Sequence, residues 1–138
     1  APANIIISEK TSIRYLIAIM NSKIFNLQFK QIGIFLGHAF EWKKQYIEQV
    51  KLPPITPEKE SIVKKIEKLV DEIIEAKKQN PQDDTTKQEK EIDNLVYKLY
   101  NLTNDEIDII EKTINLTETE NLNEIEEPEE AEKPEETA

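Results

Sequence analysis

Residues 91–103, EIDNLVYKLYNLT, decide how this chain is built, together with KLPPITPE at residues 51–58. In the first stretch Ile92, Leu95, Val96 and Leu99 recur at three- and four-residue spacing, which predicts one apolar face of a helix over about 86–101. The second stretch is punctuation. Pro53-Pro54 ends any preceding strand, because proline removes ladder donors. Thr56-Pro57 then opens a helix, with an N-cap side chain followed by proline at the first helical position, the cap contributing ~1 kcal/mol. Between the two stretches Ile62, Val63, Ile66, Leu69, Val70, Ile73 and Ile74 form a continuous stripe. They predict a helix over 57–78, ~33 Å long. Glu58 and Glu60 at its start and Lys77 and Lys78 at its end suit the helix dipole. Asn80-Pro81 and the polar run to Thr86 form the connection, and so short a link predicts an antiparallel hairpin.

Downstream, Thr103-Asn-Asp-Glu106 reads as a capping box opening a short last helix over 104–114, which buries Ile107, Ile110 and Ile114. Upstream, NIIIS at 4–8 predicts a short strand, being β-branched and apolar between polar ends. Thr11 or Ser12 then caps a helix running to about Phe29, with Ile13, Leu16, Ile17, Met20, Ile24 and Leu27 on its buried face. Asn21-Ser22 interrupt that helix at its centre, and their polar atoms need partners. Gly33 and Gly37 mark turns or close backbone approach. From Tyr46 to Leu52 the alternation of Tyr46, Glu48, Val50 and Leu52 against their neighbours predicts a second strand. The expected fold is therefore α+β and mostly α: short strands plus a buried helix, then an antiparallel helical hairpin and a short C-terminal helix.

Charge divides the chain. Residues 1–52 carry seven basic and three acidic side chains, a net of +4; residues 53–116 carry ten and fifteen, a net of −5. Residues 117–138 hold ten Glu and one Lys, a net of −9, so nearly all of the acidity sits there. With only Leu122 and Ile125 as apolar anchors, residues 117–138 read as a disordered acidic tail. The rest is close to neutral, and the acidic composition does not exclude a nucleic-acid partner. Without cysteine, neither a disulfide framework nor a thiolate metal site is available. No run approaches the ~18 apolar residues of a membrane span, and a cytoplasmic location is expected. The abrupt opening on Ile5-Ile6-Ile7 suggests a piece of something larger.

Catalytic chemistry is sparse. His38 is the lone histidine and has no second His, Cys or Ser-His-Asp arrangement to work with. Carboxylate pairs such as Asp71-Glu72 and Glu89/Asp93 read as a solvated helix face, not as acid/base dyads. Two glycines leave no phosphate-cradling loop, and no metal-ligand spacing is present. Recognition chemistry is better represented. Arg14, Lys23, Lys30, Lys43, Lys44 and Lys51 supply charge, and Tyr15, Phe40, Trp42 and Tyr46 supply flat faces. Lysines suit phosphates, while His38 or Gln45 suit base edges. The candidate DNA-binding residues are Lys23, Lys30, His38, Trp42, Lys43 and Lys44.

An ordered set of motifs carries a resemblance. These are YLIAIMNSKIFNLQFK at 15–30, Gly37, VKLPPITPE at 50–58, IVKKIEKLVDEIIEAK at 62–77 and EIDNLVYKLYNLTNDEIDIIE at 91–111. Together, across roughly residues 5–112, the chain resembles the C-terminal specificity (target-recognition) region of TaqI-like and Eco57I-like adenine-specific DNA methyltransferases and restriction-modification enzymes. The resemblance implies a partial target-recognition unit over 1–55, reading double-stranded DNA, and a helical scaffold over 56–116 that packs it onto the parent's methyltransferase domain. The parent would use S-adenosylmethionine, but the family's Asn-Pro-Pro-Tyr/Phe-type motif and a Gly-rich cofactor loop are absent here, so no catalytic residue carries over. The alternative expectation is a helical interaction module without a DNA role, self-associating or docking through the 62–74 and 92–99 stripes.

Overall fold

The structure, a computed structural model, describes residues 5–33 and 41–125. Six α-helices and one 3-10 turn make up its regular structure, and no strand occurs among the described residues. The α+β expectation is therefore corrected to an all-helical body. Residues 5–8 have no neighbouring strand among the described residues, and an isolated strand cannot satisfy its backbone donors and acceptors. At 46–52 the period was misread. Val50 is buried, with Tyr46 and Ile47 packed against the core one turn earlier, whereas Leu52 is half exposed. That is helical spacing, and the chain forms a one-turn helix, α3 (Lys44–Ile47).

The helix expected up to Phe29 is two helices, α1 (Ile13–Asn21) and α2 (Lys23–Ile32). Ser12 caps α1, its hydroxyl accepting from the Tyr15 N–H at 3.4 Å. Tyr15, Ala18 and Ile19 turn inward at helical spacing. Ser22 then closes one helix and opens the next. Its backbone is extended, its hydroxyl donates to the Ile19 carbonyl at 2.6 Å, and the same oxygen accepts the Phe25 N–H at 3.3 Å. Asn21 and Asn26 satisfy their side-chain amides on the Ile17 and Ser22 carbonyls. Thus the two polar residues at the break are what make it.

Gly33 ends α2 with an ordinary φ of −76°. Its need for glycine is one of space: a Cβ there would lie 3.1 Å from the Phe29 ring. Gly37, like His38 and Phe40, lies outside the described residues.

The hairpin is as expected in order and approximate extent. A 3-10 turn at Pro57–Lys59 leads into α4 (Glu60–Gln79), and α5 (Thr86–Leu99) returns along it. The Thr56 cap differs from expectation. Thr56 occupies the capping position, but its side chain makes no cap hydrogen bond, and its buried hydroxyl finds no partner among the described residues. Instead Lys59 reaches across and donates to the Leu99 carbonyl at 2.6 Å, placing a cation at the C-terminus of α5. α5 ends with Asn101 in the left-handed region (φ 54°), the Leu102 N–H bonding the Tyr97 carbonyl and the Asn101 N–H that of Lys98. This pair of bonds is a Schellman ending with Asn where Gly usually stands.

The capping box forms as read: Glu106 accepts the Thr103 N–H at 2.7 Å and Thr103 accepts the Glu106 N–H at 3.3 Å. The helix it opens, α6 (Asn104–Ile125), continues eleven residues past the expected end at 114. Residues 117–125 of the expected tail are thus helical, with Thr117 and Thr119 bonding carbonyls one turn back. The remaining 126–138 lie outside the described residues.

α4 is the spine. α1 and α5 both pack on it, α2 packs on α1 and α5, and α6 lies against α2. The core joins Ile66, Leu69 and Val70 of α4 to Tyr15, Ile19, Phe25 and Phe29, and to Ile92, Leu95, Val96, Tyr97 and Leu99 of α5. The 62–74 stripe expected to meet another chain is used at its centre for this fold.

Candidate functional site

The six residues expected to contact DNA fall into two groups and one undescribed position. His38 is the last of these. Lys23 and Lys30 sit at opposite ends of α2 and line a cleft of about 260 Å³ shared with Ile114, Thr117 and Glu118 of α6. Trp42, Lys43 and Lys44 belong to the α3 segment, which packs on α2.

The α3 segment is fixed by aromatic stacking. Phe25 and Phe29, one turn apart on α2, are near-parallel with centroids 6.4 Å apart. The Trp42 indole stacks on Phe29 at 4.5 Å and lies 6.2 Å from Phe25. This is why an aromatic stripe on α2 coexists with an aromatic residue ten positions beyond its end: the three rings form one apolar layer. Trp42 is 39% exposed, and it stands beside two lysines whose charge is locally matched. Lys43 pairs with Glu41 at 2.9 Å and Lys44 with Glu48 at 3.4 Å. The Glu41 hydrogen bond holds the Lys43 ammonium above its ordinary range. A phosphate reaching Lys44 competes with the exposed Glu48 carboxylate and one reaching Lys43 with the partly exposed Glu41, a contest of about 1 kcal/mol or less for surface pairs.

Lys23 does different work. It opens α2, and its backbone N–H donates to Asp93 Oδ1 of α5 at 2.9 Å. Its ammonium pairs with Glu111 Oε2 of α6 at 2.7 Å, and the Tyr97 hydroxyl donates to the other Glu111 oxygen at 2.8 Å. Lys23 is raised in pKa, first by the Glu111 hydrogen bond. Burial pushes the Asp93 carboxyl up, against the pull of the Lys23 N–H. For Glu111 burial also pushes upward, but hydrogen bonds from Lys23 and Tyr97 outweigh it and the carboxyl sits below its ordinary range. One lysine therefore ties the α1–α2 joint to α5 and α6, and its charge is spent inside the fold.

Sequence reading missed Asp93 and Glu111 as a working pair. The solvated face expected for Glu89 and Asp93 does not extend to Asp93, which stands next to buried Ile92 and is half-buried itself. Its adjacency to the apolar face was the available signal. Asp71, the other carboxylate read as solvated, forms an exposed pair with Arg14.

A larger groove, about 510 Å³, opens between α1, α4 and α5. Its floor is Ile17, Ala18, Val70, Ile73 and Ile74, and one end carries Lys23 beside Glu89 and Asp93. No three His, Cys, Asp or Glu side chains among the described residues cluster as a metal site would require. No helix among them is long and apolar enough to cross a membrane. The arrangement offers surfaces for recognition and docking. No family model, curated protein or solved structure matches the chain.

Proposed function

We propose that this chain is the non-catalytic DNA target-recognition and scaffold segment of an adenine-specific DNA methyltransferase or combined restriction-modification enzyme. The observation that carries this reading is the ordered motif set from Tyr15 to Glu111. The geometry supports a division of labour within it. α4, α5 and α6 form a scaffold, and the Asp93–Lys23–Glu111 junction clamps onto it the α2–α3 unit bearing Lys30, Trp42, Lys43 and Lys44. In this reading double-stranded DNA meets the α3 side, and the parent's methyltransferase domain, with its S-adenosylmethionine, meets the hairpin. A cytoplasmic location belongs to the same proposal.

Fluorescence-anisotropy titration of random duplex DNA across a salt series tests it. The whole chain is compared with one lacking residues 126–138, whose Glu-rich run repels DNA. Expected is binding that strengthens on trimming and weakens steeply with salt. Lys43→Glu with Lys44→Glu should reduce the salt slope by about two, one per lost phosphate contact. Absence of binding by either form at low salt would remove the DNA role. A helical docking module with no DNA role would then be preferred, as the local pairing of Lys43 and Lys44 and the open α1–α4–α5 groove favour.

A further inference from the structure

α6 lays carboxylates along the lysine edge of α2. Lys23 and Lys30 stand seven residues apart on α2, and Glu111 and Glu118 seven apart on α6, so each pair spans about two turns, ~10.5 Å. Lys23 pairs with Glu111 at 2.7 Å, and Lys23, Lys30 and Glu118 all line the cleft of about 260 Å³ between the two helices. The Glu118 charge also reaches Lys23 and favours its ammonium form. Lys30 makes no ion pair among the described residues. Two carboxylates of α6 thus bear on an edge of α2 that carries two of the lysines expected to contact DNA.

α6 is lightly held there. Of its side chains between 104 and 120 only Ile114 is buried, whereas α5 buries five. The Lys23 and Glu111 side chains are 36% and 34% exposed, so salt screens their pair and a polyanion can take the place of the carboxylate. The second anchor of Lys23 does not depend on α6. Asp93 holds its backbone N–H, which leaves the ammonium able to change partners without loosening α2 from α5. Only Tyr100 to Thr103 separate α5 from α6, with Asn101 in the left-handed region, a link short enough to turn the helix as a unit. Turning it gives up the burial of Ile114 and the bond from the Tyr97 hydroxyl to Glu111, so the closed form is the resting one. Lys30 follows Phe29, the ring on which Trp42 stacks, so the edge uncovered would adjoin the α3 side.

We propose that α6 is an autoinhibitory strap. In the free chain Glu111 and Glu118 hold the Lys23–Lys30 edge; the phosphates of double-stranded DNA displace them and turn α6 off α2. This inference rests on the DNA reading above and adds to it a closed and an open state. By linkage, a change that weakens the strap strengthens DNA binding.

Anisotropy titration with a random-sequence duplex, using the whole chain, is the first test. Glu111→Gln with Glu118→Gln should bind about tenfold more tightly than Asp108→Asn with Glu120→Gln, which removes the same charge from exposed positions of α6 that make no ion pair. Adding Lys23→Gln and Lys30→Gln to the first variant should erase the gain. Because Glu111→Gln also costs stability, a second measurement leaves the carboxylates intact. The chain has no cysteine, so Gln31→Cys on α2 and Asn115→Cys on α6, both exposed, carry a unique pair of spin labels. Saturating duplex should lengthen the distance between them. Equal affinities for the two charge-removed variants, or an unchanged distance in the DNA-bound chain, overturns the strap and leaves the DNA reading standing. No binding by any form removes both.

Discussion

Asp93 of α5 accepts the backbone N–H of Lys23, the first residue of α2, at 2.9 Å across 70 positions of sequence. Helix starts are ordinarily capped by a residue immediately before them, and Ser22 does that here for Phe25. The Lys23 donor is left over, and a carboxylate from another helix takes it. Asp93→Ala should lower unfolding free energy by about 1–2 kcal/mol, the cost of a lost cap and a stranded donor. Asp93→Asn, which still accepts, should recover a good part of it. Urea unfolding midpoints decide this; equal midpoints for Asp93→Ala and the parent chain would show the contact to be idle.

The Lys23–Glu111–Tyr97 contact makes stability depend on pH with a definite sign. The folded Glu111 carboxyl sits below its ordinary value of 4.5. Its contribution is therefore complete above that pH and is lost as pH falls through the lower folded value. Asp93 works in the opposite sense, since burial raises it: ionising it as pH rises through the raised value costs part of the stability present below its ordinary 3.8, and the Lys23 N–H offsets some of that cost. Glu111→Gln should cost about 1 kcal/mol at neutral pH, discounted for partial solvent screening. It should also make stability fall less steeply on acidification. Unfolding curves at about pH 7 and about pH 3 measure both effects. An acid response identical to the parent's would contradict the assignment.

Two threonines stand at helix starts and should respond oppositely. Thr103 exchanges hydrogen bonds with Glu106, so Thr103→Ala should cost about 1 kcal/mol. Thr56 buries a hydroxyl that finds no hydrogen-bond partner among the described residues, so the near-isosteric Thr56→Val should be neutral or slightly stabilising. Thermal denaturation of the two variants side by side gives the answer, and a shared direction would refute the distinction.

Tyr15 is 1% exposed and its hydroxyl also lacks a hydrogen-bond partner among the described residues. Burial, reinforced by the nearby Tyr100, pushes its pKa from 10.0 to about 12. The neutral phenol is thus the form the fold accepts: its contribution is complete below pH 10.0 and lost as pH rises through about 12. Tyr15→Phe should raise stability at neutral pH by about 1 kcal/mol and move alkaline unfolding to higher pH. Absorbance of tyrosinate against pH, followed with circular dichroism, tests both halves.

Much of the fold was legible because it is local. The stripes of α4 and α5, the polar link between them and the capping box at Thr103 are each settled within a few residues. The failures are of two kinds. Ile5–Ile7 and 46–52 have side chains that suit strands, but a strand needs a neighbour, and no local pattern supplies one. At Val50 the two-residue alternation and the helical turn predict the same buried residue, and only Leu52, exposed in the structure, separates them. The candidate site was less legible still. Lys23 is chemically indistinguishable from Lys43 in sequence, yet one is bound to Glu111, 88 positions away, and the other to Glu41, two positions away. Burial and partner choice at that range follow from how helices cross, which residue type does not encode.

The anchors that fix the α1–α2 joint have a consequence for the order of assembly. Lys23 leaves the ribosome long before Asp93 and Glu111 are synthesised. At ordinary elongation rates that interval is on the order of ten seconds, far longer than helix formation or collapse takes. Until α4 is made the apolar faces of α1 and α2 have no spine, and until Asp93 and Glu111 follow they have no clamp. The newly made stretch holding α1 and α2 is therefore the one for which a chaperone would compete, and synonymous changes that slow translation between residues 23 and 93 should lower the yield of folded chain.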